Sequence, residues 1–270
     1  METQKVSVDE RTPPVFEVDL HAHTRFFHGK RRLGDRFDPV GHRLLVTAAG
    51  LRGLDGVATT NHDYYRAFSG GSYSDGANSD GASSDGAFSD GEIADDEISD
   101  RASTACRVVT IPGIEISTDS GHVLVVGPDP PAETVPGVLS PAEAVERAHD
   151  RDCAAIIAHP FRKSTVREAT DVPFDAVEIN GKHPHTLTAV ARVAAAFDLP
   201  IVGGSDAHFP FEVGRAYTRI DADELTPSSV VDAIQDGRVE YQIANGPVDR
   251  AIRRGYRLVH DRKHGSTDES

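Results

Sequence analysis

Two pairs of residues with metal-binding side chains share one spacing. His21 and His23 are separated by a single residue, and so are Asp206 and His208. On an extended strand, side chains two residues apart point the same way, about 6 to 7 Å apart along the backbone, and imidazole and carboxylate groups placed in this way can bind one ion. One His-x-His pair is weak evidence, but two such pairs on different strands indicate a metal centre.

Other residues of the same chemical types follow apolar runs elsewhere in the chain. Asn61, His62 and Asp63 come after one run, Glu115 after a second and His159 after a third. In a βα barrel the active site lies at the C-terminal ends of the strands, where residues distant in sequence become neighbours. A barrel would therefore gather these side chains into one site.

The elements that would position these residues are short apolar runs and helical segments. Seven runs are predicted as strands: 15–20, 56–60, 108–111, 123–126, 154–158, 176–179 and 201–203. Helical spacing is found at 39–49, 141–150 and 186–197, and Ser140 with Glu143 forms a capping box for the second of these segments. Strands alternating with helices indicate parallel βα units and an α/β fold, and 270 residues suit one βα barrel of about 200 to 250 residues.

The charge balance is strongly acidic. The formal net charge of −15 argues against duplex DNA as a partner, because Lys and Arg neutralising phosphates supply most non-specific affinity. A small phosphorylated substrate or a short single-stranded nucleic-acid end remains compatible with it. Only five of the 28 basic residues are lysines, which suggests a halophilic cytoplasm; GC-rich coding bias is the alternative explanation.

Cysteine usage and hydropathy set the expected compartment. Cys106 and Cys153 form no CxxC motif and indicate no disulfide framework. The first fourteen residues contain no apolar leader, and no apolar run approaches the roughly 18 residues of a membrane span. We expect a soluble, cytoplasmic protein with no membrane partner; the oligomeric state is left open.

A low-complexity insertion interrupts the pattern. Residues 69–105 include four Ser-Asp-Gly triplets five residues apart, a composition too poor in apolar residues to offset its ordering entropy. We predict a disordered acidic insertion, with a calcium-binding repeat as the alternative. The remaining predicted organisation is a flexible tail at 1–14, one domain at 15–257 that includes a C-terminal extension at 217–257, and a flexible tail at 258–270.

Several motifs resemble the PHP (polymerase and histidinol phosphatase) superfamily. The matching segments are DLHAHT at 19–24, GLDGVATTNHD at 53–63, IPGIEIS at 111–117, GHVLVVG at 121–127, IIAHP at 156–160 and GGSDAH at 203–208. The resemblance implies a distorted (βα)7 TIM-like barrel holding two to three divalent metal ions, of the stand-alone type with the C-terminal extension found on some PHP proteins.

The resemblance also implies which residues bind the metals. The first ion would be held by His21, His23, Glu115 and Asp206, the second by Glu115, His122 and His159, and the third by His28, His62 and His208. Two positions depart from the family pattern. His28 stands where many relatives have Asp, and Asn61 stands where they often have Asp; the first change affects a ligand and the second its neighbour.

Each assignment has a simpler alternative. Glu115 could cap the turn after its strand, His122 precedes its strand and could be a surface histidine, and His28 lies in a loop rich in Arg and Lys. Arg162 and Arg215 are predicted to bind substrate phosphate, because guanidinium groups bind phosphate oxygens bidentately, although in a chain with this many arginines both could be surface residues.

These residues predict a metal-dependent phosphoesterase that uses hydroxide formed at the metals, with Glu115, Asp206 and His208 as catalytic residues. Mixed His and carboxylate ligands favour Mn, Zn or Fe over Mg alone. The resemblance implies small nucleotides or short nucleic-acid ends, as in exonucleases, as substrates, or histidinol phosphate instead. The alternatives from other classes are an amidohydrolase-like C–N hydrolase and a non-catalytic PHP module that binds metal.

Overall fold

The computed structural model describes residues 14–24, 34–68, 108–246 and 249–250. His28, Cys106, the predicted insertion at 69–105 and nearly all of both predicted tails lie outside these residues, so the predictions about them stay predictions. Within the described part of the chain, no helix is both long and apolar enough to cross a membrane.

Nine strands and four α-helices form the fold of the described residues. The strands are β1 (Val15–Ala22), β2 (Gly56–His62), β3 (Val109–Thr118), β4 (Gly121–Val126), β5 (Ala154–Ile157), β6 (Ala176–Asn180), β7 (Ile201–Gly204), β8 (Ala216–Asp221) and β9 (Val239–Ile243). The helices are α1 (Gly34–Leu51), α2 (Pro141–His149), α3 (Leu187–Phe197) and α4 (Pro227–Gln235). All seven predicted strands and all three predicted helical segments are present. The largest differences are that β3 continues to Thr118, so that Glu115 lies within the strand and not after it, and that α1 begins at Gly34 and not at 39.

All nine strands belong to one sheet in the order β7-β6-β5-β4-β3-β2-β1-β8-β9. β7, at one end of this order, closes onto β1, because Ala22 at the end of β1 forms a parallel bridge with Ala207 just after β7. The sheet is therefore a nearly closed barrel, and the predicted α/β barrel fold is confirmed.

The prediction of uniformly parallel βα units was wrong for part of the sheet. β4 runs antiparallel to both β3 and β5, and β8 runs antiparallel to both β1 and β9. Only two residues, 119 and 120, connect β3 to β4, and a link this short permits a hairpin but not the crossover that parallel strands need.

The core lies on both faces of the sheet. In β5, Ile156 belongs to a buried cluster with Leu20 and Ile111, while the next residue, Ile157, packs in a second cluster with side chains of α2 and α3. This alternation is expected of a strand that is covered on both faces. The first cluster includes Val230 of α4, so the C-terminal extension packs against the barrel.

Helix α2 begins as its sequence predicts. Ser140 accepts a hydrogen bond from the backbone N–H of Glu143, and the Glu143 carboxylate accepts one in return from the backbone N–H of Ser140. Such a reciprocal cap fixes where the helix starts. β5 is the next strand after α2 in the chain.

Candidate metal centre

Eight of the nine predicted metal ligands lie within the described residues, and the barrel brings all eight to one end. They are His21, His23, His62, Glu115, His122, His159, Asp206 and His208. Strand register explains part of this convergence, since His62 at the end of β2 is directly opposite Glu115 on β3. His122, which precedes most of its strand, joins the group because β4 is antiparallel and its first residues lie at the same end as the last residues of β3.

Glu115 lies at the centre of this group and is fully buried. Its Oε1 atom is 2.7 Å from Nδ1 of His122 and 2.9 Å from Nε2 of His159. Its Oε2 atom is 3.1 Å from Nδ1 of His62, 3.3 Å from Nε2 of His21 and 3.4 Å from Nε2 of His23. One carboxylate thus faces different histidines with each oxygen, which is the arrangement of a group that bridges two ions.

Four sets of three side chains bring their ligand atoms within 4.8 Å of one another: His21, Glu115 and His159; His21, His23 and Asp206; His62, Glu115 and His122; and His23, His62 and His208. Two of the four sets include Glu115. Both of them, one with His21 and His159 and the other with His62 and His122, combine residues that the prediction assigned to different ions. The assignment of each ligand to a particular ion stays a prediction.

Unsatisfied polar atoms within the group test whether metal ions fit it. Nε2 of His21, Nε2 of His23 and Oε2 of Glu115 are all buried and have no hydrogen-bond partner, although these nitrogens lie within 3.4 Å of that oxygen. A buried polar atom left unpaired costs about 1–3 kcal/mol. A divalent cation among nitrogen and carboxylate ligands removes this cost, so the group fits divalent metal ions.

The electrostatics of the group keep both carboxylates ionised. Burial alone would raise the pKa of Glu115, but the imidazoles of His62 and His21 hold that pKa well below its usual range. The pKa of Asp206 is also held well below its usual range against burial, by His23, His21 and Lys182. An ionised carboxylate is the form that binds a cation, so both residues are ready to bind metal at neutral pH.

His21 and His23 have pKa shifts in opposite directions. Burial opposes protonation of His21, but Glu178 and Glu115 outweigh it and hold the pKa of His21 well above its usual value. Burial holds the pKa of His23 well below its usual value, and the nearby His208 and His62 add to the effect. His23 therefore presents a neutral imidazole, which is the ligating form.

Strained backbone marks three strand ends of this centre. Asp63, His159 and Asp206 have φ values of 58°, 24° and 52°, in the left-handed region that non-glycine residues seldom adopt. Each directly follows or lies just beyond a strand, β2, β5 or β7, that leads into the group. Strain of this kind persists where the surrounding structure over-determines it and is concentrated at functional sites.

Glu178 on β6 belongs to the centre; its place at the end of an apolar run predicts that it faces the barrel mouth, but not which group it contacts. It is fully buried, its Oε1 lies 2.8 Å from Nδ1 of His21, and its Oε2 accepts a hydrogen bond of 2.7 Å from the backbone N–H of His159. A carboxylate on Nδ1 leaves Nε2 of His21 free to ligate and fixes the orientation of the ring. The available sequence signal was an acidic residue within an apolar strand, Val177-Glu178-Ile179.

Asp19 and Asp63 support the loops around the ligands. Asp19 accepts backbone N–H bonds from Ser205 at 2.9 Å and Gly214 at 2.8 Å; burial raises its pKa to about 6 while these bonds oppose the rise. Asp63 accepts from the backbone N–H and the hydroxyl of Ser117. Each aspartate ties the segment next to a ligand strand to another part of the barrel.

The two predicted phosphate-binding arginines have different environments. Arg162 has a half-exposed side chain, and its NH1 donates to Oδ2 of Asp206 at 2.9 Å, so it lies at the edge of the centre. Arg215 is 3% exposed and packs against Gly181, where an added Cβ would lie 2.9 Å from the Cβ of Arg215. The structure therefore brings Arg162 to the site but places Arg215 in the interior; both roles stay predictions.

A small cleft of about 110 Å³ adjoins the centre. Its lining includes His159, Glu178, Arg162, His183 and His185. The centre is thus open to solvent on the side of β5 and β6.

Comparisons with known proteins agree with this architecture. A family model described as PHP-associated matches residues 184–239, from just before α3 to the first residue of β9. An uncharacterised protein of Methanocaldococcus jannaschii is 26% identical over 146 residues, which is 46% of this chain and 60% of that protein.

Two solved structures resemble the fold. PsfC from Pseudomonas syringae has a TM-score of 0.62 at 17% identity, with 91% of this chain and 98% of that chain covered. A two-domain protein from Bacteroides vulgatus, described as containing a predicted PHP-like metal-dependent phosphoesterase, has a TM-score of 0.52 at 18% identity, with 85% and 65% covered. The PHP-associated match at 184–239 and the shared barrel fold agree with the resemblance to the PHP superfamily that the sequence motifs indicate.

Proposed function

We propose that this chain is a metal-dependent phosphoesterase. The observation that carries the proposal is the position of Glu115, which is fully buried and whose two oxygens face different histidines, two at Oε1 and three at Oε2, all within 3.4 Å. Divalent ions bound there would lower the pKa of water towards neutrality and neutralise charge on phosphoryl oxygens. The mixed imidazole and carboxylate ligands favour Mn, Zn or Fe.

The chain itself supplies positioning and electrostatics. Glu115 and Asp206 stay ionised and hold the charges of the centre in place, while the Glu178 carboxylate fixes the His21 ring. Arg162 lies at the solvent side, where a guanidinium can bind a phosphate oxygen of the substrate. Because these groups are fixed before the substrate arrives, little reorganisation is needed in the transition state.

The proposed substrates are small nucleotides or the ends of short single strands. The net charge of −15 disfavours a long duplex, whose binding depends on many basic contacts. The likeness to the Bacteroides vulgatus protein, itself described as containing a predicted phosphoesterase, agrees with a phosphate-ester substrate.

The chemistry at the bridging position argues against an amidohydrolase-like activity. Such enzymes often use a carbamylated lysine there, whereas this chain has Glu115. Lys182, a lysine close to the centre, contacts His208 and Asp206 at the outer side instead.

The test combines metal analysis with substrate screening. Protein loaded with Mn²⁺, Zn²⁺ or Fe²⁺ is assayed for phosphate release from mononucleotides, bisphosphonucleosides, histidinol phosphate and a 5′-phosphorylated oligonucleotide. We expect release from at least one nucleotide substrate, and we expect Glu115→Gln to lose bound metal and activity together. Glu146→Gln, on the exposed side of α2, is the matched control. Full turnover and full metal content in Glu115→Gln would show that the bridging assignment is wrong.

A further inference from the structure

Two cations converge on one oxygen of Asp206 from different strand ends. NH1 of Arg162, after β5, is 2.9 Å from Oδ2, and Nζ of Lys182, after β6, is 3.4 Å from the same atom. The other oxygen, Oδ1, faces inwards and lies 3.3 Å from Nε2 of His23 and 3.2 Å from Nδ1 of His208. Asp206 thus has an inner oxygen directed at the histidines and an outer oxygen shared by two cations.

Lys182 is held in this position by its backbone. Its N–H donates to Oδ1 of Asn180 at 2.9 Å, and the preceding N–H, of Gly181, donates to the carbonyl of Gly204 at 2.8 Å. A Cβ on Gly181 would lie 2.9 Å from atoms of Arg215 and Ala216, so only glycine allows this turn to pack so closely. The ammonium group then reaches Nδ1 of His208 at 2.7 Å.

At this edge two cations share one carboxylate oxygen. Metal ions at the inner oxygen would compete for the negative charge of Asp206 and so weaken its attraction for Arg162 and Lys182. Glu212 adds a second carboxylate 3.9 Å from Lys182, beyond hydrogen-bond distance, and the same oxygen accepts the backbone N–H groups of His208 and Phe209. The N–H donors of Arg162 and Lys182 can therefore bind an anion that approaches more closely.

Both cations can meet an anion that arrives from solvent. The side chain of Arg162 is 50% exposed and that of Lys182 is 20% exposed, whereas that of Asp206 is 1% exposed. Movement of the flexible cationic ends towards solvent would leave the carboxylate in place. Arg162 and Lys182 can therefore contact a substrate from solvent while they stay close to the metal centre.

We propose that Lys182 and Arg162 together bind the phosphoryl group of the substrate, with Lys182 as a substrate-binding residue that the sequence motifs do not reveal. The inference rests on the proposed function and deepens it. The incoming phosphate oxygens replace Oδ2 of Asp206 as the partner of both cations, and Asp206 keeps its inner oxygen on the metal side. No covalent step is involved.

The test compares Lys182→Met with Lys163→Met in metal-loaded protein. Lys163 is an exposed lysine next to Arg162 in sequence and serves as the matched control. The readouts are binding of inorganic phosphate by calorimetry, metal content by mass spectrometry, and kcat and KM for p-nitrophenyl phosphate. We expect Lys182→Met to weaken phosphate binding about tenfold, which is about 1.4 kcal/mol, and to raise KM similarly with metal content unchanged; Lys163→Met should match wild type.

Lys182→Arg tests whether Lys182 binds phosphate or only supports the neighbouring side chains of Asp206 and His208. It retains the positive charge, so we expect it to recover most of the phosphate affinity. Unchanged phosphate affinity in Lys182→Met would overturn the proposal, and so would loss of metal from that variant, because Lys182 would then only support Asp206 and His208. Lys182-dependent phosphate binding without hydrolysis of any ester would refute the proposed function and leave the anion site standing. Hydrolysis that does not depend on Lys182 would refute the anion site and leave the proposed function standing.

Discussion

Replacing Glu178 by Gln should disturb the metal centre without touching a predicted ligand. In the structure its two oxygens serve two different N–H groups: Oε1 pairs with Nδ1 of His21 at 2.8 Å, and Oε2 accepts from the backbone of His159 at 2.7 Å. Glutamine has almost the same shape but only one acceptor oxygen. One of the two N–H groups must then face the NH₂ of the amide.

The size of the effect follows from which contact is lost. If the amide oxygen stays on the backbone N–H of His159, the NH₂ faces Nδ1 of His21, and that ring can accept only as the tautomer protonated at Nε2. Nε2 is then no longer a ligand. If the amide is turned the other way, a buried backbone N–H is left unpaired. The second outcome costs about 1–3 kcal/mol of folding free energy, and the first costs metal affinity, typically 10–100-fold for a residue that orients a ligand.

Two measurements distinguish these effects. Urea unfolding of metal-free protein gives the change in the free energy of unfolding, and competition with a chromophoric chelator gives the metal affinity. Glu146→Gln makes the same chemical change on an exposed part of α2 and should alter neither quantity. A free energy of unfolding within about 0.5 kcal/mol of wild type, together with a metal affinity within twofold of wild type, in Glu178→Gln would refute the reasoning that Glu178 fixes the His21 tautomer.

Two other substitutions and one labelling experiment test the packing. Gly204→Ala would place a Cβ 2.5 Å from both Oε1 of Glu178 and Cβ of His21, so it should lower the free energy of unfolding by about 1–3 kcal/mol. Gly50→Ala is the control: it lies in α1, the nearest atom to its added Cβ is 3.5 Å away, and it should be neutral or stabilise the protein by up to about 1 kcal/mol. Thermal melts in which Gly50→Ala is the less stable variant would contradict this prediction. Burial raises the pKa of Cys153 to about 11 from its usual 9.0, so its thiol should resist iodoacetamide at pH 8 in folded Cys106→Ala protein and react after unfolding, as read by peptide mass spectrometry. Because the folded pKa is the higher one, the contribution of this thiol to stability is present below pH 9 and lost as the pH rises through 11.

The sequence determined most of the elements and the residue types of the centre. Buried strands such as β2 and β5 are short apolar runs with ligand-type residues at their ends, and α2 carries its own capping box. These signals are local, so they can be recognised in the sequence without knowledge of the fold. The His21 and His23 spacing belongs to the same class, because two residues on one strand face share a direction whatever packs around them.

Strand β8 shows where local patterns fail. Its buried positions alternate with half-buried ones, but the buried set includes Thr218, whose hydroxyl accepts from the backbone N–H of Gly203 at 2.8 Å. A polar residue that faces inwards removes the apolar signal, and only the partner strand reveals why it is tolerated. The same applies to the antiparallel direction of β8, since sequence periodicity is identical for both directions.

The composition of the metal centre beyond its ligands was decided by tertiary structure. Glu178 and Lys182 lie on or after β6, and nothing in their neighbouring residues shows that one meets His21 and the other Asp206. The first contact joins residues 157 positions apart and exists because the barrel closes β6 and β7 onto β1. The second joins residues 24 positions apart at the ends of the neighbouring strands β6 and β7. The sequence alone could therefore predict the candidate metal ligands, whereas the groups that orient these side chains and the cations beside them follow from how the strands are arranged around the barrel.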